Sequence, residues 1–177
     1  MQDNNHILIS GDIGVGKSTL IRQLLLESGK SCCGFLTKRL PADEHGESAT
    51  YLHAASISEE DRFYTQENRI GSCNNKRCTF QCPVAFDTYG VKLLSIKPGC
   101  ILLMDELGFM ENDALIFQHA VLKLLDSDTP VLAAIKNKRT PFLEAVRTHR
   151  NVQVYNLTID NRDAIRRALL PLMRNLL

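Results

Sequence analysis

Short, continuous apolar runs alternate along this chain with segments in which apolar residues recur at helical spacing. The first run, residues 6–10, is apolar and rich in isoleucine, which predicts a buried strand. Residues 18–26 have helical spacing, and the segment ends at Gly29, a residue typical of helix C-termini. The pattern therefore begins with a strand, a loop and a helix.

The same alternation returns in the second half of the chain. Continuous apolar runs predict buried strands at residues 101–105, 131–135 and 152–157. Helices are predicted at residues 113–125, from Thr140-Pro141 onward, and at 161–176 with a bend at Pro171. Strands that alternate with helices predict an α/β fold: a mainly parallel sheet with helices on both faces.

The middle of the chain has a different pattern. Residues 33–40 and 50–57 have strand character and are separated by a charged, turn-forming loop at 41–47. This arrangement predicts a hairpin beside the α/β part. Residues 60–98 are polar with scattered aromatics, and only a weak helical pattern at 87–95 stands out.

Length and composition narrow the class of protein. The chain has 177 residues, 44% of them hydrophobic, and a formal net charge of +1. We expect one domain over residues 1–177, with residues 41–98 as a variable hairpin or insert. The charge is not concentrated in a basic block, so we expect no nucleic-acid or membrane surface. The polar N-terminus and short apolar runs favour a cytoplasmic protein.

The chain contains six cysteines, which we expect to be reduced thiols. Cys73, Cys78 and Cys82 fall close together in a polar stretch. Zinc sites usually present cysteine pairs two to four residues apart, and a fourth ligand is not evident near these three. The pattern therefore favours half-buried or loop thiols over a metal site.

A phosphate-binding sequence lies between the first predicted strand and helix. Residues 11–18 match the motif G-x-x-x-x-G-K-[S/T] in full. With the next residue, the predicted nucleotide-binding set is Gly11, Asp12, Ile13, Gly14, Val15, Gly16, Lys17, Ser18 and Thr19. Backbone N–H groups of such a loop hold phosphates at the helix N-terminus. Lys17 is predicted to reach the β- and γ-phosphates, and the Ser18 hydroxyl to ligate Mg²⁺.

A pair of acids follows the buried strand at 101–105. Asp105 is predicted to hold Mg²⁺ opposite Ser18, usually through a water. Successive strand residues point to opposite faces, so Glu106 should face a different space, beyond the γ-phosphate. A carboxylate there can orient or deprotonate an attacking water. The pair therefore favours hydrolysis, with Lys17, Asp105 and Glu106 as the catalytic residues.

Two partial matches to GTPase motifs do not indicate a GTPase. Residues 105–108 fit D-x-x-G, but residues 137–140 only half fit N-K-x-D, because Thr140 stands where the guanine-binding acid belongs. The two matches also lie closer together than a GTPase domain places them.

The second match is instead a basic loop at the end of a predicted strand. Lys136, Lys138 and Arg139 lie beside the expected phosphate site. One of them could stabilise charge on the γ-phosphate, although exposed charge is the more common role of such residues.

The motifs together resemble those of a known family, the small nucleoside-triphosphatases of thermophiles and animals, called cancer-related NTPase in animals. The similar segments are Gly14–Leu20, Cys33–Thr37, Met104–Glu111, Pro130–Thr140 and Val154–Asp163. The resemblance implies a P-loop NTPase fold and Mg²⁺-dependent hydrolysis of ATP, GTP, CTP and UTP to diphosphate and phosphate. It also implies slow turnover and loose base choice. By position, residues 11–19 would bind nucleotide, Glu106 would be the catalytic acid and Asp105 the acid beside the metal.

Some positions depart from the family pattern. Phe109 stands where the family usually has a lysine, so that charge is either lost or moved to Lys136 or Lys138. Lys38 and Arg39 stand where the family favours acids. These departures concern substrate and rate rather than the fold.

Two other functions remain open. One is a kinase that transfers the γ-phosphate to a small nucleoside-like acceptor bound at residues 41–98. Such kinases carry an arginine-rich lid, whereas Arg162, Arg166 and Arg167 are expected on the solvent face of the last helix. The other is a slowly hydrolysing, nucleotide-sensing module, whose protein partner the sequence does not identify.

Overall fold

The protein is described by a computed structural model that covers residues 6–74 and 77–176. The strands are β1 (His6–Gly11), β2 (Ser31–Arg39), β3 (Glu47–Ala54), β4 (Arg69–Asn74), β5 (Arg77–Gln81), β6 (Cys100–Leu107), β7 (Val131–Lys136) and β8 (Val152–Asn156). The helices are α1 (Lys17–Ser28), α2 (Pro83–Ala85), a π-helical turn (Phe86–Gly90), α3 (Val91–Leu93), α4 (Leu115–Leu125), α5 (Pro141–Arg147) and α6 (Arg162–Asn175).

The eight strands form one sheet in the order β5-β4-β3-β2-β6-β7-β1-β8. Strands β2, β6, β7, β1 and β8 pair in parallel, and we call them the parallel half. Strands β3, β4 and β5 continue the sheet in antiparallel pairing and form the antiparallel extension. The predicted α/β fold, with a mainly parallel sheet and an added hairpin, is confirmed.

Both faces of the sheet are buried by helices. On one face Phe35 of β2 packs against Phe117 of α4, which also packs against Phe86, in the larger apolar core. On the other face Ile9 of β1 packs with residues of α1 and α6, among them Ile21. Alternate residues of each central strand enter one core or the other, which explains their continuous apolar runs.

The segment that the sequence pattern described least well supplies the edge of the sheet. Residues 60–98 contain β4, β5 and the helical turns from Pro83 to Leu93, which overlap the weak helix predicted at 87–95. Strand β5 is an edge strand whose residues are exposed or only half-buried. Cys78 and Phe80 alternate with polar residues in this strand, but the alternation covers only five residues and Phe80 is exposed, so the signal for a strand is short.

Strand β2 joins the two parts of the sheet, since it pairs with β6 on one side and β3 on the other. At Gly34 the backbone adopts a positive φ of 96°, and an added Cβ would lie 2.1 Å from the Leu103 carbonyl oxygen. Only glycine fits this close approach of β2 to β6.

Among the residues described, no helix is both long and apolar enough to cross a membrane.

Candidate nucleotide-binding site

The phosphate loop, residues 11–18, lies at the end of β1 and runs into α1. Gly14 and Gly16 adopt positive φ values of 84° and 94°, a conformation that glycine adopts without strain. Within the described residues, no side chain caps the N-terminus of α1. The first N–H groups of the helix therefore remain available for an anion.

Lys17 begins α1 and its side chain is only 6% exposed. Its Nζ donates hydrogen bonds to the carbonyl oxygens of Gly11 at 2.9 Å and Asp12 at 3.1 Å. The same Nζ lies 3.1 Å from Oε1 of Glu106. This oxygen accepts no well-directed hydrogen bond within the described structure, so the contact is an ion pair set mainly by charge. The loop carbonyls and Glu106 thus hold the ammonium at the mouth of the loop.

Ser18 and Asp105 meet beside this pair. The Ser18 hydroxyl donates a hydrogen bond of 2.9 Å to Oδ1 of Asp105. Burial raises the pKa of Asp105 to about 6; the Ser18 hydrogen bond opposes the rise and the neighbouring Glu106 carboxylate adds to it. A buried carboxylate whose pKa is raised in this way favours a cation close by.

Both acids at the end of β6 face the phosphate loop, one toward Ser18 and the other toward Lys17. They contact different residues of that loop, in line with the separate roles predicted for them. Regular pairing is interrupted at this point, because the register of β6 with β7 shifts between Met104 and Leu107.

A third carboxylate, which the sequence analysis did not assign to the site, lies behind the first two. Glu111 is 2% exposed and accepts a hydrogen bond from the Gly108 N–H. Burial raises the pKa of Glu111 to about 7, Glu106 adds to the rise, and Lys136 partly opposes it. The residue lies between β6 and α4, and the sequence pattern gives no sign of its burial.

The loop after β7 is fastened to the phosphate loop. Asn137 Nδ2 donates a hydrogen bond of 3.0 Å to the Asp12 carboxylate. From α5, the Arg147 guanidinium donates to the carbonyl oxygens of Lys136 and Lys138. Lys136 is half-buried, whereas Lys138 and Arg139 are exposed.

The loop after β8 encloses the phosphate loop from the other side. The Leu157 N–H donates to the Ser10 carbonyl oxygen at 2.7 Å, and an added Cβ on Gly11 would lie 2.5 Å from the Leu157 oxygen. Glycine at position 11 therefore allows the two segments to touch.

A model of the family described as NTPase matches residues 6–170 of the chain. The chain belongs to this NTPase family. Its resemblance to the small nucleoside-triphosphatases is confirmed by relatives that match along almost their whole length.

Three known proteins illustrate the similarity. The Cancer-related nucleoside-triphosphatase homolog of Bos taurus is 30% identical, over 89% of this chain and 90% of its own. Nucleoside-triphosphatase THEP1 of Thermotoga maritima is 27% identical, over 95% of both chains. The crystal structure of THEP1 from Aquifex aeolicus superposes with a TM-score of 0.70 and 22% identity, covering 96% of this chain and 99% of that one. The last comparison shows a shared fold.

One arginine of this NTPase does more than the sequence analysis expected. Arg162 is exposed, but its Nε donates a hydrogen bond of 2.6 Å to the Val15 carbonyl oxygen. An added Cβ on Gly16 would lie 3.4 Å from the same nitrogen. Arg166 is half-buried and pairs with Glu27 of α1 at 2.8 Å, so only Arg167 remains a plain surface charge. Spacing along α6 alone gives no sign of these contacts between distant segments.

The cysteines lie away from the phosphate loop. All six are free thiols; Cys33 and Cys73 are buried and the others are half-buried. Cys73 lies opposite Cys78 in the pairing of β4 with β5, and burial raises the pKa of the Cys73 thiol. Within the described residues, no group of three or more histidine, cysteine or acidic side chains could hold a metal ion.

Proposed function

We propose that this NTPase hydrolyses nucleoside 5′-triphosphates to the diphosphate and phosphate in a Mg²⁺-dependent reaction. The observation that carries the proposal is the meeting of two pairs at one helix N-terminus: the ion pair of Lys17 with Glu106, and the hydrogen bond from Ser18 to Asp105. Membership of the NTPase family supports the same reaction. ATP, GTP, CTP and UTP are all proposed substrates, since a phosphate loop binds phosphates through its backbone and does not read the base.

Nucleotide binding would change the partners of Lys17. In the structure, its ammonium is shared between two loop carbonyls and Glu106. A γ-phosphate at the loop competes for that ammonium, because phosphate oxygens form strong charge-assisted hydrogen bonds. Glu106 is then free to accept a hydrogen bond from water. The Lys17–Glu106 pair thus couples phosphate binding to preparation of the nucleophile.

The residues present fit a magnesium ion. Ser18 Oγ and Asp105 Oδ1 lie 2.9 Å apart, and both are the oxygen ligands that hard cations prefer. The raised pKa of Asp105 reflects a buried carboxylate that a cation would stabilise in its charged form. When bound, Mg²⁺ would offset negative charge on the phosphates.

The remaining steps belong to side chains and backbone of this chain. Glu106 accepts a proton from water as the water oxygen bonds to the γ-phosphorus. The bond from that phosphorus to the bridging oxygen breaks, and the bridging oxygen leaves with the electron pair on the diphosphate. Lys17 and the N–H groups of the phosphate loop stabilise the charge that develops.

The test is phosphate release with Mg²⁺ and each of the four nucleotides, for the wild type and for Glu106→Gln and Lys17→Ala. Glu106→Gln should bind nucleotide normally and lose roughly 10²- to 10⁴-fold in turnover. Lys17→Ala should lose binding as well. Glu60→Gln, a change at an exposed acid, is the matched control. Unchanged turnover in Glu106→Gln would remove Glu106 as the base.

We also propose that residues 1–177 form one domain in which residues 41–98 are a variable insert. The continuous pairing from β2 into β3 supports this organisation. A cytoplasmic location is proposed because six free thiols and a nucleotide substrate suit a reducing compartment.

A further inference from the structure

Lys136 is the last residue of β7, the strand between β6 and β1. In the pairing of β1 with β7 it stands directly opposite Gly11, the first residue of the phosphate loop. Paired strands lie about 4.8 Å apart. The backbone of Lys136 is therefore as close to the phosphate loop as a neighbouring strand can place it.

Contacts with the segment after β6 set the direction of the Lys136 side chain. An added Cβ on Gly108 would lie 3.0 Å from Lys136 Cδ and 3.5 Å from its Nζ. The ammonium lies 5.3 Å from the centre of the Phe109 ring. The side chain thus crosses the end of the strand that carries Asp105 and Glu106, and the aromatic face holds the cation there.

The backbone that carries this side chain is also held. Arg147 donates hydrogen bonds to the carbonyl oxygens of Lys136 and Lys138. Asn137 binds the Asp12 carboxylate of the phosphate loop at 3.0 Å. A lysine that is fixed by its backbone, by a glycine contact and by an aromatic ring loses little entropy on binding a ligand.

Within the part of the chain that the structure describes, the charge of Lys136 is not used by an ion pair. No carboxylate among the described residues lies within 4.0 Å of the Lys136 ammonium. The positive charge of Lys136 acts on the buried Glu111, because it opposes the rise in the pKa of that acid. Lys17, by contrast, already shares its ammonium with Glu106.

We propose that Lys136 is a second catalytic cation, whose ammonium contacts the γ-phosphoryl group and stabilises its charge in the transition state. This inference rests on the proposed hydrolysis at the same site. Negative charge is spread over the three equatorial oxygens of the transferred group, and the single ammonium of Lys17 also faces Glu106. A cation from β7 reaches the group from the side of β6 and leaves Lys17 in place.

Lys136→Met keeps the length of the side chain and removes its charge. Turnover should fall by about 10²-fold while KM changes by less than about threefold, because the contact strengthens in the transition state. Lys138→Met, at an exposed lysine of the same loop, should keep wild-type turnover. Lys136→Arg should recover part of the loss. If Lys138→Met lost turnover while Lys136→Met kept it, the catalytic cation would be Lys138, and the proposal for Lys136 would be wrong.

A second measurement separates this inference from the proposed function. Calorimetry gives the dissociation constants of MgADP and of MgADP with aluminium fluoride, an analogue of the transferred phosphoryl group. The wild type should bind the analogue complex at least tenfold more tightly than MgADP, and Lys136→Met should lose that gain while keeping its affinity for MgADP.

Each other outcome has a definite meaning. A wild type that neither releases phosphate nor tightens on the analogue complex contradicts hydrolysis itself. An active wild type with a normal Lys136→Met variant overturns the role of Lys136 alone. If Lys136→Met weakens MgADP and the analogue complex equally, or if Lys136→Arg recovers nothing, the lysine only supports local structure and offsets Glu111, and the proposal is wrong.

Discussion

The parallel half of the sheet and its antiparallel extension differ in how they satisfy buried polar groups. In the parallel half, Glu106 Oε1 accepts no directed hydrogen bond but lies 3.1 Å from Lys17 Nζ, and the His6 ring bonds to the Leu125 oxygen through Nε2 although its Nδ1 has no partner among the described residues. In the extension, His53 is 0% exposed, and neither ring nitrogen has a partner among the described residues. Phe63 and Tyr64 pack edge-on against its ring instead.

The difference shows where each part of the fold carries its energetic cost. A buried polar group without a partner costs roughly 1–3 kcal/mol. The parallel half uses its buried charges at the phosphate loop, where a ligand can satisfy them. The extension carries its cost in a histidine that faces aromatic rings, so its stability depends on that histidine staying neutral. Variants at the junction and in each part can test this comparison.

The largest effect is expected at the junction, in Gly34→Ala. The new Cβ would lie 2.1 Å from the Leu103 carbonyl oxygen at a φ of 96°, and neither backbone can move without breaking the pairing of β2 with β6. We expect a loss of more than about 4 kcal/mol in the free energy of unfolding, measured by urea denaturation. Both parts of the sheet should be lost together.

Gly99→Ala is the matched control for this change. Gly99 also has a positive φ, of 72°, but an added Cβ there meets nothing within 4 Å. It should cost only the backbone strain, about 1 kcal/mol. Equal losses at the two glycines would show that strain, and not the contact between strands, sets the cost at position 34.

The next effect concerns the parallel half, through Glu111→Gln. Burial raises the pKa of Glu111 from about 4.5 to about 7, with Glu106 adding to the rise and Lys136 and the Gly108 N–H opposing it. An acid with a raised pKa ionises more readily in the unfolded chain, so the wild type loses stability as pH rises from 4.5 through 7. Glutamine keeps the hydrogen bond without ionising.

Unfolding free energies at pH 5 and pH 8 check this prediction. Relative to the wild type, Glu111→Gln should gain about 2–3 kcal/mol over that interval. Glu60→Gln, at an exposed acid, should follow the wild type at both values. A Glu111→Gln difference that does not change with pH would show that the buried acid is already charged in both states.

Most of the parallel half could be predicted because its signals are local. The strand at residues 6–10, the motif at 11–18 and the strand before Asp105 each depend on neighbouring residues. The meeting of Ser18 with Asp105 also followed, because the carboxyl ends of parallel strands lie at one edge of the sheet.

The contacts that escaped prediction depend on residues far apart in the chain. Arg162 reaches Val15 across 147 positions, and Lys136 meets Phe109 only because β7 pairs with β6. The burial of Glu111 could not be predicted, because burial of a loop residue follows from the packing of whole elements. In the extension, β5 alternates apolar and polar residues over only five positions, and Phe80 is exposed, so its pattern is short.

A pH effect of opposite sign is expected in the extension, through His53→Phe. Burial lowers the pKa of His53 from 6.5 to about 4, and the nearby charges of Arg62 and Lys38 add to the effect. A histidine with a lowered pKa takes up its proton more readily in the unfolded chain. The wild type therefore loses stability as pH falls from 6.5 toward 4.

His53→Phe should remove about 2 kcal/mol of that loss between pH 7.5 and pH 5, seen as a shallower pH dependence of the unfolding free energy. His45→Gln, at an exposed histidine, should leave the dependence unchanged. Any cost of fitting the larger ring is the same at every pH, so only the slope tests the prediction. If the pH dependence of the unfolding free energy did not change, His53 would have the same pKa in the folded and unfolded protein, and the prediction would be wrong.

The smallest effect is expected at the outer side of the phosphate loop, in Arg162→Ala. The hydrogen bond from Arg162 to the Val15 carbonyl oxygen holds the loop, and Gly16 leaves room for it. Without this hydrogen bond, the phosphate loop can adopt conformations in which its N–H groups do not point at one phosphate. Ligand binding must then select the binding conformation, which costs free energy. MgADP should bind about fivefold more weakly by calorimetry, equivalent to about 1 kcal/mol.

Arg167→Ala is the control on the same helix, because among the described residues the Arg167 guanidinium bonds only within α6, to the Asp163 carbonyl oxygen. It should leave MgADP binding unchanged, and Arg162→Lys should recover part of the loss at position 162. Equal affinities in Arg162→Ala and the wild type would mean that the phosphate loop keeps its shape without this contact. The strands beneath the phosphate loop would then be enough to hold its conformation.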